Sequence, residues 1–163
     1  MAPRLSGRPV GRRFYARDPR ELAPLLLNKV LADRRPGHDL VAARIVEVEA
    51  YCGSEDPGSH AYRGMTRRNR TMFGPPGHLY VYFTYGMHWC ANVVAATEGV
   101  GMAVLLRAAT PVVGVERMRE RRGPGRRDRE LCAGPARLTQ AFAITGSDDG
   151  ADVVRGPLPV SYT

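Results

Sequence analysis

The chain has 163 residues and a net charge of +8, with a pI near 10.0: one domain with a single core, suited to a polyanion such as DNA, RNA or anionic lipid. Cys52, Cys90 and Cys132 are widely spaced and form no CxxC pair, which argues against zinc and reads as reduced thiols of a cytoplasmic protein. No run of roughly eighteen apolar residues predicts a membrane span, and the Arg-rich N-terminus lacks the apolar stretch of a secretory signal.

Residues 1–13 are basic and rich in Gly and Pro, and predict a flexible arm ahead of a single domain over residues 14–163. Residues 17–30 predict a helix, with Asp18 as N-cap, Pro19 in the first turn and Leu22, Ala23, Leu25, Leu26 and Leu27 supplying apolar surface. Residues 30–33 and 40–51 read as strands around the turn Arg35-Pro36-Gly37-His38. Residues 52–77 form a long polar loop, and a loop of that length in a compact domain points to function or disorder. Residues 79–83 and 89–95 read as a hairpin with Tyr85-Gly86-Met87 at its tip, and residues 101–108 as another apolar strand. Residues 114–122 predict a short basic helix, residues 121–129 a charged connector, and Pro135 opens a helix that runs to Ala143. From Gly146 the chain is loop-like, with one short strand over residues 158–162. The sum is an α+β domain: a curved, mostly antiparallel sheet with flanking helices and a protruding β-hairpin.

Three constellations carry chemistry. In the run 44–51, strict alternation puts Ile45, Glu47, Glu49 and Tyr51 on one face and Val46, Val48 and Ala50 on the other, against a core. Glu49, Tyr51 and His60 offer the carboxylate, phenol and imidazole of a general base acting on water; salt bridges to arginine are the plain structural alternative. Glu47, Glu49, Glu55, Asp56 and His60 could also hold Mg²⁺ or Mn²⁺ in a nuclease, but their spacing matches no ligand motif. In the hairpin, Tyr80 and Tyr82 share a face, and Tyr85 stands before Gly86 at the tip, where an exposed ring is costly unless it meets a base stack. The loop Arg63-Gly64-Met65-Thr66-Arg67-Arg68-Asn69-Arg70 has guanidinium forks and amide donors for phosphate. Arg107, at the end of the apolar run Val104-Leu105-Leu106, is either an ion-pair partner or a site residue.

These pieces occur in a specific order: Arg44-Ile-Val-Glu-Val-Glu-Ala-Tyr51, His60, Arg68-Asn-Arg70, Met72-Phe73, Gly77-His-Leu-Tyr-Val-Tyr82, Tyr85-Gly-Met87, Asn92, Leu105-Leu-Arg107 and Asp128-Arg-Glu-Leu-Cys-Ala-Gly-Pro135. From about Phe14 to about Ile144 the ordered set resembles the 3-methyladenine (alkyladenine) DNA glycosylases. The resemblance implies a monofunctional glycosylase of base excision repair that flips alkylated purines out of double-stranded DNA and hydrolyses the glycosidic bond. On that resemblance Glu49 activates the attacking water and Arg107 helps to hold it. Tyr51, His60 and Tyr82 sandwich the flipped base, and Asn92 rejects guanine through its exocyclic amino group. Tyr85 fills the gap in the duplex with Met87 beside it, and Arg67, Arg68, Asn69 and Arg70 meet the backbone.

No cofactor and no metal are implied. Lys29, the sole lysine, lies far in sequence from these residues, so hydrolysis without a lyase step is expected. A cytoplasmic, nucleoid-associated bacterial monomer with no membrane contact is expected. The family pattern continues beyond the position of Thr163, so the chain reads as C-terminally shortened and less stable than a full-length relative. The competing readings are a non-catalytic binder of damaged or distorted DNA and a metal-dependent nuclease.

Overall fold

The β-rich middle of the chain builds one open antiparallel sheet, and the short helices pack on it. A computed structural model describes Leu5 and residues 7–162. Helix α1 (Arg12–Tyr15) and α2 (Pro19–Leu26) lead into strands β1 (Val30–Asp33), β2 (Val41–Tyr51), β3 (Leu79–Thr84), β4 (His88–Ala95) and β5 (Met102–Val113). Helices α3 (Val115–Arg122) and α4 (Pro135–Phe142) follow, and β6 (Val160–Ser161) closes the order. The strands lie in the order β3-β4-β5-β2-β1-β6, and every pairing is antiparallel. The architecture is the expected single α+β domain.

Local chemistry sets the boundaries. Asp18 caps α2 by accepting from the Arg20 amide, with Pro19 at its first turn. The helix stops at Leu26, earlier than the expected residue 30, because Asn28 turns left-handed at φ 67° and Val30 already pairs with Arg44. β5 runs five residues past its expected end: its second half pairs with β2 as far as Val113, and the Ala109 amide donates to the Cys132 carbonyl.

The two faces of the sheet carry different loads. On one face Ile45, Val81, Ala91, Val93, Val104 and Leu106 pack with Leu22 and Leu26 of α2, Met118 of α3 and Leu138 and Phe142 of α4. On the other, Tyr80, Val94 and Ala103 pack with Ala61 and Met72, flanked by Tyr51, Phe73 and Tyr82. The loop over residues 52–77 covers this second face. Two 3₁₀ turns, Gly53–Glu55 and Arg70–Phe73, shape it. Gly101, at φ +69°, lets it close down: a Cβ there would stand 2.6 Å from the Phe73 ring.

The strict alternation expected over residues 44–51 is corrected by two offsets. Ile45 pairs with Ala109 and Glu47 with Ala108, which leaves Val46 as an extra residue of β2; Val48 then pairs with Leu106, which leaves Arg107 as an extra residue of β5. A bulge of this kind shifts the phase of side chains beyond it. Ile45 and Val48 therefore both meet the helix-side core, while Tyr51 joins the opposite face and Val46 is left 48% exposed.

The expected arm over residues 1–13 falls partly outside the described residues. Its last part is packed: Val10 is fully buried, its amide donates to Val160, and Pro9 bridges Ser161 beside β6.

Candidate active site

The site lies on the sheet face turned away from the helices. The paired bulges bring Arg107 between two carboxylates of β2. Its Nε donates to Glu47 Oε1 at 2.8 Å and its Nη1 donates to Glu49 Oε2 at 2.6 Å. Both ion pairs are partly open to solvent. Tyr51, two residues beyond Glu49, has its phenol pushed up to about 12, by burial first and then by the charge and hydrogen bond of Glu49.

Beside this cluster the aromatic residues enclose a pocket lined by Tyr51, Gly58, His60, Met72, Tyr80, Tyr82 and Asn92. His60 meets Tyr82 edge-on, with ring centres 4.4 Å apart. Its Nδ1 lies 3.1 Å from the Tyr80 hydroxyl. Burial, and then the charge of Arg68, lowers the imidazole below its ordinary value, whereas burial pushes the Tyr80 phenol up to about 12. At neutral pH the ring is uncharged, and its Nδ1 shares one hydrogen bond with the Tyr80 hydroxyl. Asn92 forms part of the buried wall and donates through Nδ2 to the Tyr80 carbonyl at 3.2 Å. Cys90 faces Tyr82 across the β3–β4 pair.

The hairpin tip projects from the end of β3 and β4. Tyr85 is 90% exposed and Met87 70% exposed. Tyr85 and Gly86 both have positive φ, 53° and 63°, and the Met87 amide donates to the Thr84 carbonyl, which is the pattern of a type I′ turn. Holding a tyrosine left-handed costs on the order of 1 kcal/mol, and such strain concentrates at functional positions.

The basic loop divides into two roles. Arg67, Arg68 and Arg70 are exposed. Arg68 donates to the Phe83 carbonyl at 2.7 Å and lines a polar cavity of about 180 Å³ with His60, Thr66, Asn69 and Tyr80. Asn69, expected beside them on the backbone-contacting surface, is instead buried. Its Nδ2 donates to the His60 and Gly64 carbonyls and its Oδ1 accepts from the Thr66 amide, so its side chain folds the loop.

The acidic and imidazole groups of the nuclease reading are dispersed. Glu47 and Glu49 hold Arg107, Glu55 pairs with Arg20, Asp56 caps its own loop through Cys52 and Gly58, and His60 meets Tyr80. Among the described residues no three His, Cys, Asp or Glu side chains converge as a metal set. All three cysteines are free. Tyr80, Met72 and Gly58 are pocket residues that the sequence reading passed over; for Tyr80 the signal was its shared face with Tyr82.

One face of the open antiparallel sheet thus carries an aromatic pocket beside an Arg-clamped carboxylate pair, with an exposed hairpin tip whose strand β3 is held by Arg68. The chain matches the methylpurine-DNA glycosylase (MPG) family over residues 13–162 and belongs to that family. Among its relatives are proteins named as inferred 3-methyladenine DNA glycosylases. The one from Burkholderia lata is 58% identical over 94% of this chain and 72% of its own length. That from Streptomyces avermitilis is 51% identical over 92% and 71%, and that from Methanoculleus marisnigri 51% identical over 90% and 74%. Among the described residues no helix is long and apolar enough to cross a membrane.

Proposed function

We propose that this chain is a monofunctional DNA glycosylase that flips an alkylated purine from double-stranded DNA and hydrolyses its N-glycosidic bond, leaving an abasic site. The supporting observation is the Glu49–Arg107 pair placed on the same sheet face as the slot of Tyr51, His60 and Tyr82. A purine methylated at N3 or N7 is cationic, so it stacks well on electron-rich tyrosine rings and leaves readily. Hypoxanthine and ethenoadenine are neutral and planar, and this reading includes them as further substrates. Asn92 in the pocket wall selects against guanine. Tyr85, with Met87 beside it, fills the vacated stack, and Arg67, Arg68 and Arg70 hold the phosphates.

In the chemical step the C1′–N bond breaks with its electron pair going to the purine. Water adds to C1′ as Glu49 takes its proton, and Arg107 helps to hold that water. Lys29, the sole lysine, belongs to another cluster, its Nζ lying over the Phe14 and Tyr162 rings, so no lysine side chain is left for a Schiff base in the pocket, which favours hydrolysis alone.

The test is release of hypoxanthine or 1,N6-ethenoadenine from a duplex under single turnover, with EDTA present. Wild-type chain is expected to release the base without cutting the strand, and Glu49→Gln to slow release about 10²-fold or more. Tight lesion binding without release by wild-type chain would reassign it as a binder of damaged DNA.

A further inference from the structure

We infer that Glu47 is a working member of this site: it shares Arg107 with Glu49, fixes the guanidinium, and keeps the cluster net negative where positive charge develops on the sugar. The inference rests on the glycosylase reading above. Glu47 and Glu49 sit two residues apart beyond the Val46 bulge, and they grip different nitrogens of one guanidinium, Nε and Nη1. Nη2 is left uncommitted among the described residues. A planar group held at two points cannot rotate, so the remaining N–H donors keep a fixed direction.

Charge makes the second half of the argument. If Glu49 alone faced Arg107, the pair would be neutral. With Glu47 the cluster carries two negative charges against one positive, in a chain whose net charge is +8. Hydrolysis of a glycosidic bond passes through an oxocarbenium-like state with positive charge on the sugar ring, and a preorganised negative charge beside it lowers the barrier. Stability does not account for Glu47. Its side chain is 58% exposed and that of Arg107 36%, and ion pairs so exposed stabilise a fold little. A carboxylate facing the DNA polyanion also weakens binding, so its presence points to the chemical step.

This yields a signature that a scaffolding role would not produce. Glu47→Gln keeps the shape and the hydrogen-bond acceptor and removes only the charge. Single-turnover excision of hypoxanthine by this variant is expected to be about tenfold slower, while affinity for the same duplex, read by fluorescence anisotropy, stays equal or rises and Tm is unchanged. Glu47→Ala, which also frees Nε, is expected to be slower still. A wild-type rate for Glu47→Gln, or a slowed rate accompanied by weaker binding or a lowered Tm, would overturn the inference. Glu49→Gln separates the two levels of the argument. If wild-type chain excises and Glu49→Gln does not, the glycosylase reading stands whatever Glu47 does. If wild-type chain does not excise, both readings fall together.

Discussion

Single hydroxyl and amide groups set the pocket's chemistry. Tyr80 is almost fully buried, and its one polar contact through the hydroxyl holds the His60 ring. Replacing Tyr80 by Phe keeps the packing and removes that hydrogen-bond partner. We expect the variant to lose about 1 kcal/mol of stability and to excise neutral lesions about tenfold less efficiently, because the His60 ring loses the hydrogen bond that fixes its orientation; urea unfolding and kcat/KM on hypoxanthine duplex check the two effects. The alternation of Tyr80-Val81-Tyr82 already places both phenols on one face. The partnership with His60 is not legible there, since it depends on how a loop twenty residues earlier folds back. Asn69 teaches the same lesson from the other side: its polarity and basic neighbours point to phosphate, and only the folded loop shows its amide already committed.

At the scale of elements, the bulges and the sheet edges decide what the strands do. β3 is an edge strand, and a bare edge invites pairing with other chains. Here the segment at 149–151 lies along it: Leu79 donates to Ala151 and accepts from Gly150, the Val81 amide donates to Asp149 Oδ1 at 2.9 Å, and Arg68 caps Phe83. Asp149 also accepts from Thr71 at 2.8 Å, which ties the edge to the turn that carries Met72 into the pocket. Asp149→Ala leaves the buried Val81 amide without a partner, and we expect a loss of about 1–3 kcal/mol with faster hydrogen exchange at Val81. A mutant with wild-type stability and unchanged Val81 exchange would contradict this edge role. The bulges at Val46 and Arg107 have no Gly or Pro to announce them, which is why simple alternation misplaces Ile45.

At the scale of the whole molecule, α1 meets the segment around Asp152. Arg12 donates to Asp152 at 2.5 Å and to the Pro76 and Gly77 carbonyls, joining α1, the start of β3 and the tail. Burial alone would raise the Asp152 carboxyl, but the hydrogen bond from Arg12 and those from the Val154 and Arg155 amides outweigh it and hold it down at about 2. A carboxylate with a depressed folded-state pKa stabilises the fold above its ordinary value near 3.8 and loses that contribution as pH falls toward about 2. Arg12→Ala is therefore expected to lower stability by about 1–2 kcal/mol at pH 7, with the gap to wild type narrowing between pH 4 and pH 2. Urea midpoints at the three pH values test it, and a gap that stays constant would refute the linkage.

Sequence by itself determined the kind of elements and their order, because local rules govern them: Asp18-Pro19 opens a helix, alternating aromatics make a hairpin, and the apolar run up to Leu106 makes a strand. The ordered motifs also pointed to the family that the relatives confirm. Tertiary structure decided which side chains meet. Two one-residue bulges turn Glu47 and Glu49 onto Arg107, a glycine at positive φ lets the long loop close over the pocket, and the loop brings His60 to Tyr80. Those outcomes depend on register and on contacts distant in the chain, and neither is written in any local window of residues.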